Sequence, residues 1–222
     1  SHDLRVLATD LQVSPEAMVR MIQDPHSNSV ALVQPLVPAA ELRIVCSFTI
    51  EHAVTQNLEL PLAPVADIFP FAYSVNERFD LEHYLRPHYD DPRGELTAWA
   101  RQFIRTDGPT GTRELLVQMN QRIRDSLVYA ERDEEGTQTP LQTLALKSGS
   151  CRDFALLMME AARRLGIATR FVSGYLYDPA LDGIGADGSP VTGAGATHAW
   201  LQAYLPGAGW VPFDPTNNLL GG

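Results

Sequence analysis

Residues 151–166 read CRDFALLMMEAARRLG, and that run admits one local structure. Phe154, Leu157, Met158, Ala161, Ala162 and Leu165 recur at helical spacing and make one apolar stripe. Arg152, Asp153, Glu160, Arg163 and Arg164 are expected mostly to face away from it. Gly166 is a natural stop, Arg163 and Arg164 suit the negative end of the helix dipole, and Asp153 suits the positive end. Gly149-Ser150-Cys151 therefore places a cysteine at a helix start. There the unpaired N–H groups and the macrodipole both favour the thiolate. Taken alone, the helix fits a buried, inert cysteine better, because free cysteine commonly packs as a small hydrophobe. His198, within Thr197–Trp200, and Asp214, within Phe213–Thr216, reverse that preference. Thiol, histidine, carboxylate is the chain order of a nucleophile, its base and its orienting group.

The second of the two cysteines is the control. In ELRIVCSFTIE, Leu42, Ile44, Cys46, Phe48 and Ile50 alternate with Arg43, Val45, Ser47, Thr49 and Glu51, which predicts a half-buried strand with Cys46 as a small core residue. Two cysteines without metal-ligand spacing exclude a disulfide framework and a zinc site, and no cofactor is expected.

The 222 residues suffice for one large domain or two small ones. A formal charge of −10 and the lack of a basic stripe argue against a nucleic-acid partner. No apolar run is long enough to span a bilayer and no signal-peptide pattern is present, so a cytoplasmic location is the expectation. The Ser-His start without methionine reads as a cut or added start.

Residues 1–78 are strand-rich, with LRVLATDLQV, AMVRMIQ, SVALV and ELRIVCSFTIEHAV as candidate strands, and are predicted to form a small β-rich, sandwich-like domain. Asp24 to Asn28 reads as a turn, and Pro61, Pro64 and Pro70 mark a linker or sheet edge. Residues 79–222 form the second domain. Leu96, Trp99, Phe103 and Ile104 share one helical face, as do Leu116, Met119, Ile123 and Leu127. Thr139-Pro140-Leu141-Gln142 fits a capping box that opens a short helix ending near Lys147. ATRFVSGYLYD reads as a strand, residues 179–196 as a glycine-rich loop bordering the site, and THAWLQAYLP with GWVPFDPT as an antiparallel pair turned at Pro206–Gly209. Helices followed by collected strands indicate an α+β fold.

Of the six histidines, His2 and His26 lie in terminal or turn sequence, His52 ends a strand, and His83 and His88 sit in a proline-broken stretch. His198 lies in a strand beginning just after the long loop. If the turn is Pro206–Gly209, His198 stands opposite residues near 216, and an even offset would put Asp214 on its face within diagonal reach. The N–H of Cys151 is one oxyanion donor, and spacing identifies no second. Gly149 would let the chain turn sharply and a substrate approach the thiol. Gly149, Ser150, Tyr175 and Trp200 are the candidate substrate-binding residues.

Gly149–Ala155, Arg170–Leu176, Thr197–Trp200 and Phe213–Asn217 together resemble the bacterial transglutaminase-like family of cysteine-protease type, strongly over residues 90–218. The resemblance implies a papain-like α+β core preceded by an N-terminal β-domain, and a catalytic triad of Cys151, His198 and Asp214. It leaves the reaction open among peptide or amide hydrolysis, transamidation of protein glutamine and a non-catalytic peptide-binding module. Hydrolysis through a thioester is preferred, with a peptide or protein as substrate. Family members often continue past this last block, so sequence beyond Gly222 is expected.

Overall fold

The structure, a computed structural model, describes residues 4–52, 61–177, 183–184, 190–191 and 195–220. The chain divides into two compact units, Ser1–Asn57 and Leu58–Gly222.

The first unit contains strands β1 (Leu4–Ser14), β2 (Ala17–Gln23), β3 (Ser29–Pro35) and β4 (Arg43–His52). β1 pairs with β4 and β2 with β3, all antiparallel. Since only Pro15 and Glu16 separate β1 from β2, the four strands make two successive lengths of one two-stranded ribbon. Its tip is the predicted turn, held by Asp24 Oδ1, which accepts from the backbone N–H of His26 at 2.9 Å and of Asn28 at 2.8 Å. The alternation around Cys46 does form a strand, but the expected cover is missing. No residue between Arg5 and Glu51 is buried, Phe48 is 50% exposed, and Cys46 is exposed. The reading of Cys46 as a core residue is corrected accordingly. A ribbon has no second sheet to bury either face, so the unit is not a sandwich among the described residues.

The second unit runs through β5 (Ile68–Phe69), α1 (Val75–Asp80), α2 (Glu82–Leu85), α3 (Glu95–Arg101), β6 (Thr110–Gly111), α4 (Thr112–Ser126), β7 (Val128–Tyr129), α5 (Pro140–Leu146), β8 (Ser148–Gly149) and α6 (Cys151–Arg164). It ends with β9 (Thr169–Tyr177), β10 (Gly183–Ile184), β11 (Pro190–Val191), β12 (Gly195–Leu205), β13 (Gly209–Asp214) and β14 (Leu219–Leu220). An antiparallel sheet in the order β14-β13-β12-β9 packs on α6. The fold is α+β. No helix among the described residues is long and apolar enough to cross a membrane.

The core joins Leu96 and Ala100 of α3, Leu115, Leu116, Met119 and Ile123 of α4, Phe154, Leu157 and Met158 of α6, and Leu201, Ala203, Leu205 and Phe213 of the sheet. Leu62, Phe69 and Phe71 pack against it. The N–H of Ala63 donates to the carbonyl of Pro206 at 2.7 Å, and a Cβ on Gly207 would lie 2.3 Å from Ala63 N. Residues 61–78, assigned by sequence to the first domain, therefore belong to the packing of the second unit. Their prolines had read as a linker, but apolar anchors and a backbone hydrogen bond fix them to the core.

α6 departs from its predicted amphipathicity. It is a central helix, with Asp153 and Glu160 fully buried and Arg163 5% exposed. Those charges tolerate burial because each is paired. Glu160 Oε1 accepts from Arg163 Nη1 at 3.1 Å, and Glu160 Oε2 accepts from the N–H groups of His88 and Tyr89 at 2.9 and 3.2 Å.

Candidate active site

Cys151 is the first residue of α6, 8% exposed, and the chain before it is built to hold it there. The predicted capping box opens α5: Thr139 Oγ1 accepts from Gln142 N at 3.2 Å, and Gln142 Oε1 accepts from Thr139 N at 2.8 Å. Lys147, at φ 52°, ends α5. β8 then runs parallel to β7, Tyr129 opposite Gly149, and Ser150 caps α6.

The cap partner is Asp153, whose importance the sequence reading missed. Its Oδ2 accepts from Ser150 N at 2.8 Å and Ser150 Oγ at 2.9 Å, and its Oδ1 accepts from Gln138 N at 2.7 Å. Arg132 Nη1 reaches both oxygens at 2.9 and 3.0 Å. Burial opposes ionisation of Asp153, but the donors from Ser150, Gln138 and Arg132 outweigh it and hold the carboxyl below its ordinary range. A Cβ on Gly149 would stand 2.8 Å from Asp153 Cβ. Glycine at 149 thus makes room for Asp153, and the buried Ser150 hydroxyl is likewise engaged by Asp153. The spacing of Ser150 and Asp153 was a legible cap signal. Nothing in the sequence pointed to Arg132.

Cys151, Ala155 and Ala199 form a small buried cluster. Two alanines at this contact let the start of α6 approach β12 closely. On β12, Ala199, Leu201, Ala203 and Leu205 are buried, while the alternate positions carry His198 and Trp200. β12 and β13 pair with Leu201 opposite Phe213 and Leu205 opposite Gly209. The turn is the predicted one, and the offset is even, so His198, Trp200 and Asp214 share a face.

His198 Nε2 and Asp214 Oδ2 are 2.8 Å apart. The thiol of Cys151 lies within reach of the imidazole and of the backbone N–H groups of Ala199 and Arg152, all of which favour its charged form. The His198 hydrogen bond, chiefly, draws the Cys151 thiol below its ordinary value against the opposing effect of burial. The bond to Asp214, then that to Cys151, pushes His198 up to about 9. Burial works against ionised Asp214, but hydrogen bonds from His198 and Asn217 outweigh it and keep its carboxyl low. Together these shifts favour a thiolate, an imidazolium and a carboxylate in series.

Trp200 lies beside the imidazole, ring centroids 6.1 Å apart and planes inclined at 24°. Its ring also crosses Gly174, the register partner of His198, where a Cβ would meet Trp200 Cη2 at 2.8 Å. Trp200 thus walls the histidine. Tyr175 pairs with Thr197, so the pleat sends it to the face opposite His198, and it is 66% exposed. Tyr129, another residue the sequence reading passed over, stands within electrostatic reach of the thiol. Burial, then the charge at Cys151, raises its phenol. Most of the loop over 179–196, expected to border the site, lies outside the described residues. The rings of His83 and His88 do meet, at 5.4 Å, but no group of three metal-ligating side chains exists among the described residues.

The family model of the transglutaminase-like superfamily matches residues 97–215. The uncharacterized protein ML0607 of Mycobacterium leprae is 30% identical over 183 residues, which cover 82% of this chain and 60% of that protein. The uncharacterized protein YebA of Bacillus subtilis is 38% identical over 72 residues, 32% of this chain and 10% of its own length. The chain thus spans less than two thirds of the length of these curated relatives. A crystal structure described as "a putative cysteine protease from Cytophaga hutchinsonii" superposes with a TM-score of 0.67 at 20% identity, covering 99% of this chain and 68% of that one. The periplasmic domain of TgpA from Pseudomonas aeruginosa superposes with a TM-score of 0.50 at 19% identity, covering 94% and 63%. Both likenesses are of fold.

Proposed function

This chain belongs to the transglutaminase-like superfamily, and from that premise we propose that it is a cysteine-nucleophile acyl-transfer enzyme that hydrolyses peptide or amide bonds. The observation that carries this reading is the unbroken series Cys151–His198–Asp214 at the start of a central helix. The Cys151 thiolate attacks the amide carbonyl carbon, and the new oxyanion accepts from the Cys151 N–H at the helix start. His198 gives its proton to the leaving nitrogen, the C–N bond breaks, and a thioester remains. Neutral His198 then takes a proton from water, whose oxygen attacks the thioester and releases the acid and the thiolate. Asp214 holds the ring and its positive charge throughout.

Water, in preference to an amine, is proposed as the acyl acceptor. Transamidation needs a dry, walled channel for a neutral amine. Trp200 supplies one wall beside His198, while Tyr175 is exposed.

The test supplies glutaminyl peptides and a mixed peptide library, with and without a primary amine, and follows products by mass spectrometry. New peptide termini, or glutamate with released ammonia, are expected, and Cys151→Ala should abolish them. Predominant amine incorporation would make the enzyme a transamidase, and no product from protein with a reactive thiol would favour a peptide-binding module. In the same assay Asp214→Asn should keep the fold and lower turnover by about ten- to ten-thousand-fold. Turnover equal to wild type would reduce Asp214 to a turn residue.

A further inference from the structure

The turn after Asp214 carries a group that the acyl-transfer reading does not use. Asn217 Nδ2 donates to Asp214 Oδ2 at 2.8 Å, the same oxygen and the same distance as His198 Nε2. Asn217 Nδ2 and His198 Nε2 stand 3.4 Å apart. With the ring protonated at Nε2, both nitrogens are donors, so that approach reflects their shared acceptor and not a bond between them. The second oxygen, Oδ1, accepts from the backbone N–H groups of Thr216 at 2.9 Å and Asn217 at 3.3 Å. Asp214 therefore has four donors, and one residue, Asn217, supplies two of them. The turn is itself anchored: Asn218, at φ 55°, accepts through Oδ1 from Nδ2 of the buried Asn120 on α4 at 3.0 Å.

We propose that Asn217 is a positioning residue of this site, its side-chain amide holding Asp214 in place against His198 so that the imidazolium–thiolate pair persists into mildly alkaline solution. The inference rests on the acyl-transfer reading of Cys151 and His198 and deepens it. Its physical basis is that a carboxylate held in hydrogen-bond contact favours the charged form of the imidazole. While Asp214 is held against the ring, His198 keeps its proton to higher pH, and the ion pair with the Cys151 thiolate lasts as long as that proton does. The pH at which the pair is lost on the alkaline side is then set partly by Asn217. The other groups facing the site are Tyr129 on β7 and Arg152 on α6, which the experiment leaves intact.

The experiment measures the rate of iodoacetamide alkylation of Cys151, resolved by peptide mass spectrometry, as a function of pH in wild type, Asn217→Ala and Asn217→Asp. Asn217 is exposed, so both variants should fold, and thermal unfolding checks this. Loss of the amide should move the alkaline limb of the Cys151 profile downward by about 0.5–1 pH unit in Asn217→Ala. Asn217→Asp adds a like charge beside Asp214 and should instead raise the alkaline limb, because that charge stabilises the imidazolium. An alkaline limb left in place in folded Asn217→Ala, whatever happens to melting temperature, would overturn the proposal. The assay needs no substrate, so the two readings fail separately. A wild-type Cys151 no more reactive than Cys46 at about pH 6 would sink the nucleophile itself, whereas a reactive wild type with unshifted variants would sink only the role of Asn217.

Discussion

At the scale of single residues, the two thiols differ in the opposite sense from the one their sequence context suggested. Cys46 is exposed and Cys151 is buried, so access favours Cys46. Selectivity for Cys151 has to come from its charge state, through His198 and the helix start. The expected outcome is that iodoacetamide at about pH 6 labels Cys151 faster than Cys46, and that the preference fades as pH rises and ordinary thiols ionise. The sign follows from the pair: Cys151 is lowered and His198 is raised to about 9, so thiolate and imidazolium coexist between those limits. His198→Ala should remove the preference. Peptide mass spectrometry reads both sites at once, and faster labelling of Cys46 at this pH would contradict the ion pair.

At the scale of elements, the thiol is placed by the corner between β8 and α6. That corner depends on a buried carboxylate that never touches the thiol in the hydrogen-bond scheme. Asp153 ties together Ser150, Gln138 and Arg132, while Arg152 Nη2 holds the same segment through the carbonyls of Arg132 and Glu134 at 3.1 and 3.3 Å. Gly149→Ala tests the corner. The new methyl would meet Asp153 Cβ at 2.8 Å, and neither the helix nor the paired carboxylate can yield cheaply. A loss of about 1–3 kcal/mol in denaturant unfolding is expected, together with slower alkylation of Cys151. Wild-type stability and reactivity would mean that the corner relaxes freely.

At the scale of the molecule, every buried side chain among the described residues belongs to Leu58–Gly222. The ribbon from Leu4 to His52 has strand pairing and no core. A chain starting at Leu58 should therefore unfold cooperatively, with a denaturant slope suited to its size, and keep the pH dependence of Cys151 alkylation. A molten fragment, or one in which Cys151 reacts as an ordinary thiol, would show that the first unit is needed to complete the fold.

The sequence by itself determined the local structure around the nucleophile, the hairpin and the order of the triad. These follow from short-range rules: the helical spacing from Phe154 to Leu165, the Thr139–Gln142 cap, and the Pro206–Gly209 turn, although the register that puts Asp214 on the face of His198 came from the structure. Only the tertiary structure decided which polar residues are buried and what covers the apolar ones. Asp153, Glu160 and Arg163 looked solvent-facing because helical periodicity records one face, and a central helix is covered on all of them. Their partners, Arg132 and the N–H groups of His88 and Tyr89, come from segments distant in sequence. Cys46 looked buried because alternation records a strand's two faces and not whether a second layer lies against either. Asn217 was legible as part of a block, but its bond to the oxygen that His198 uses depends on how the turn folds back over Asp214, a relation that spacing along the chain does not encode.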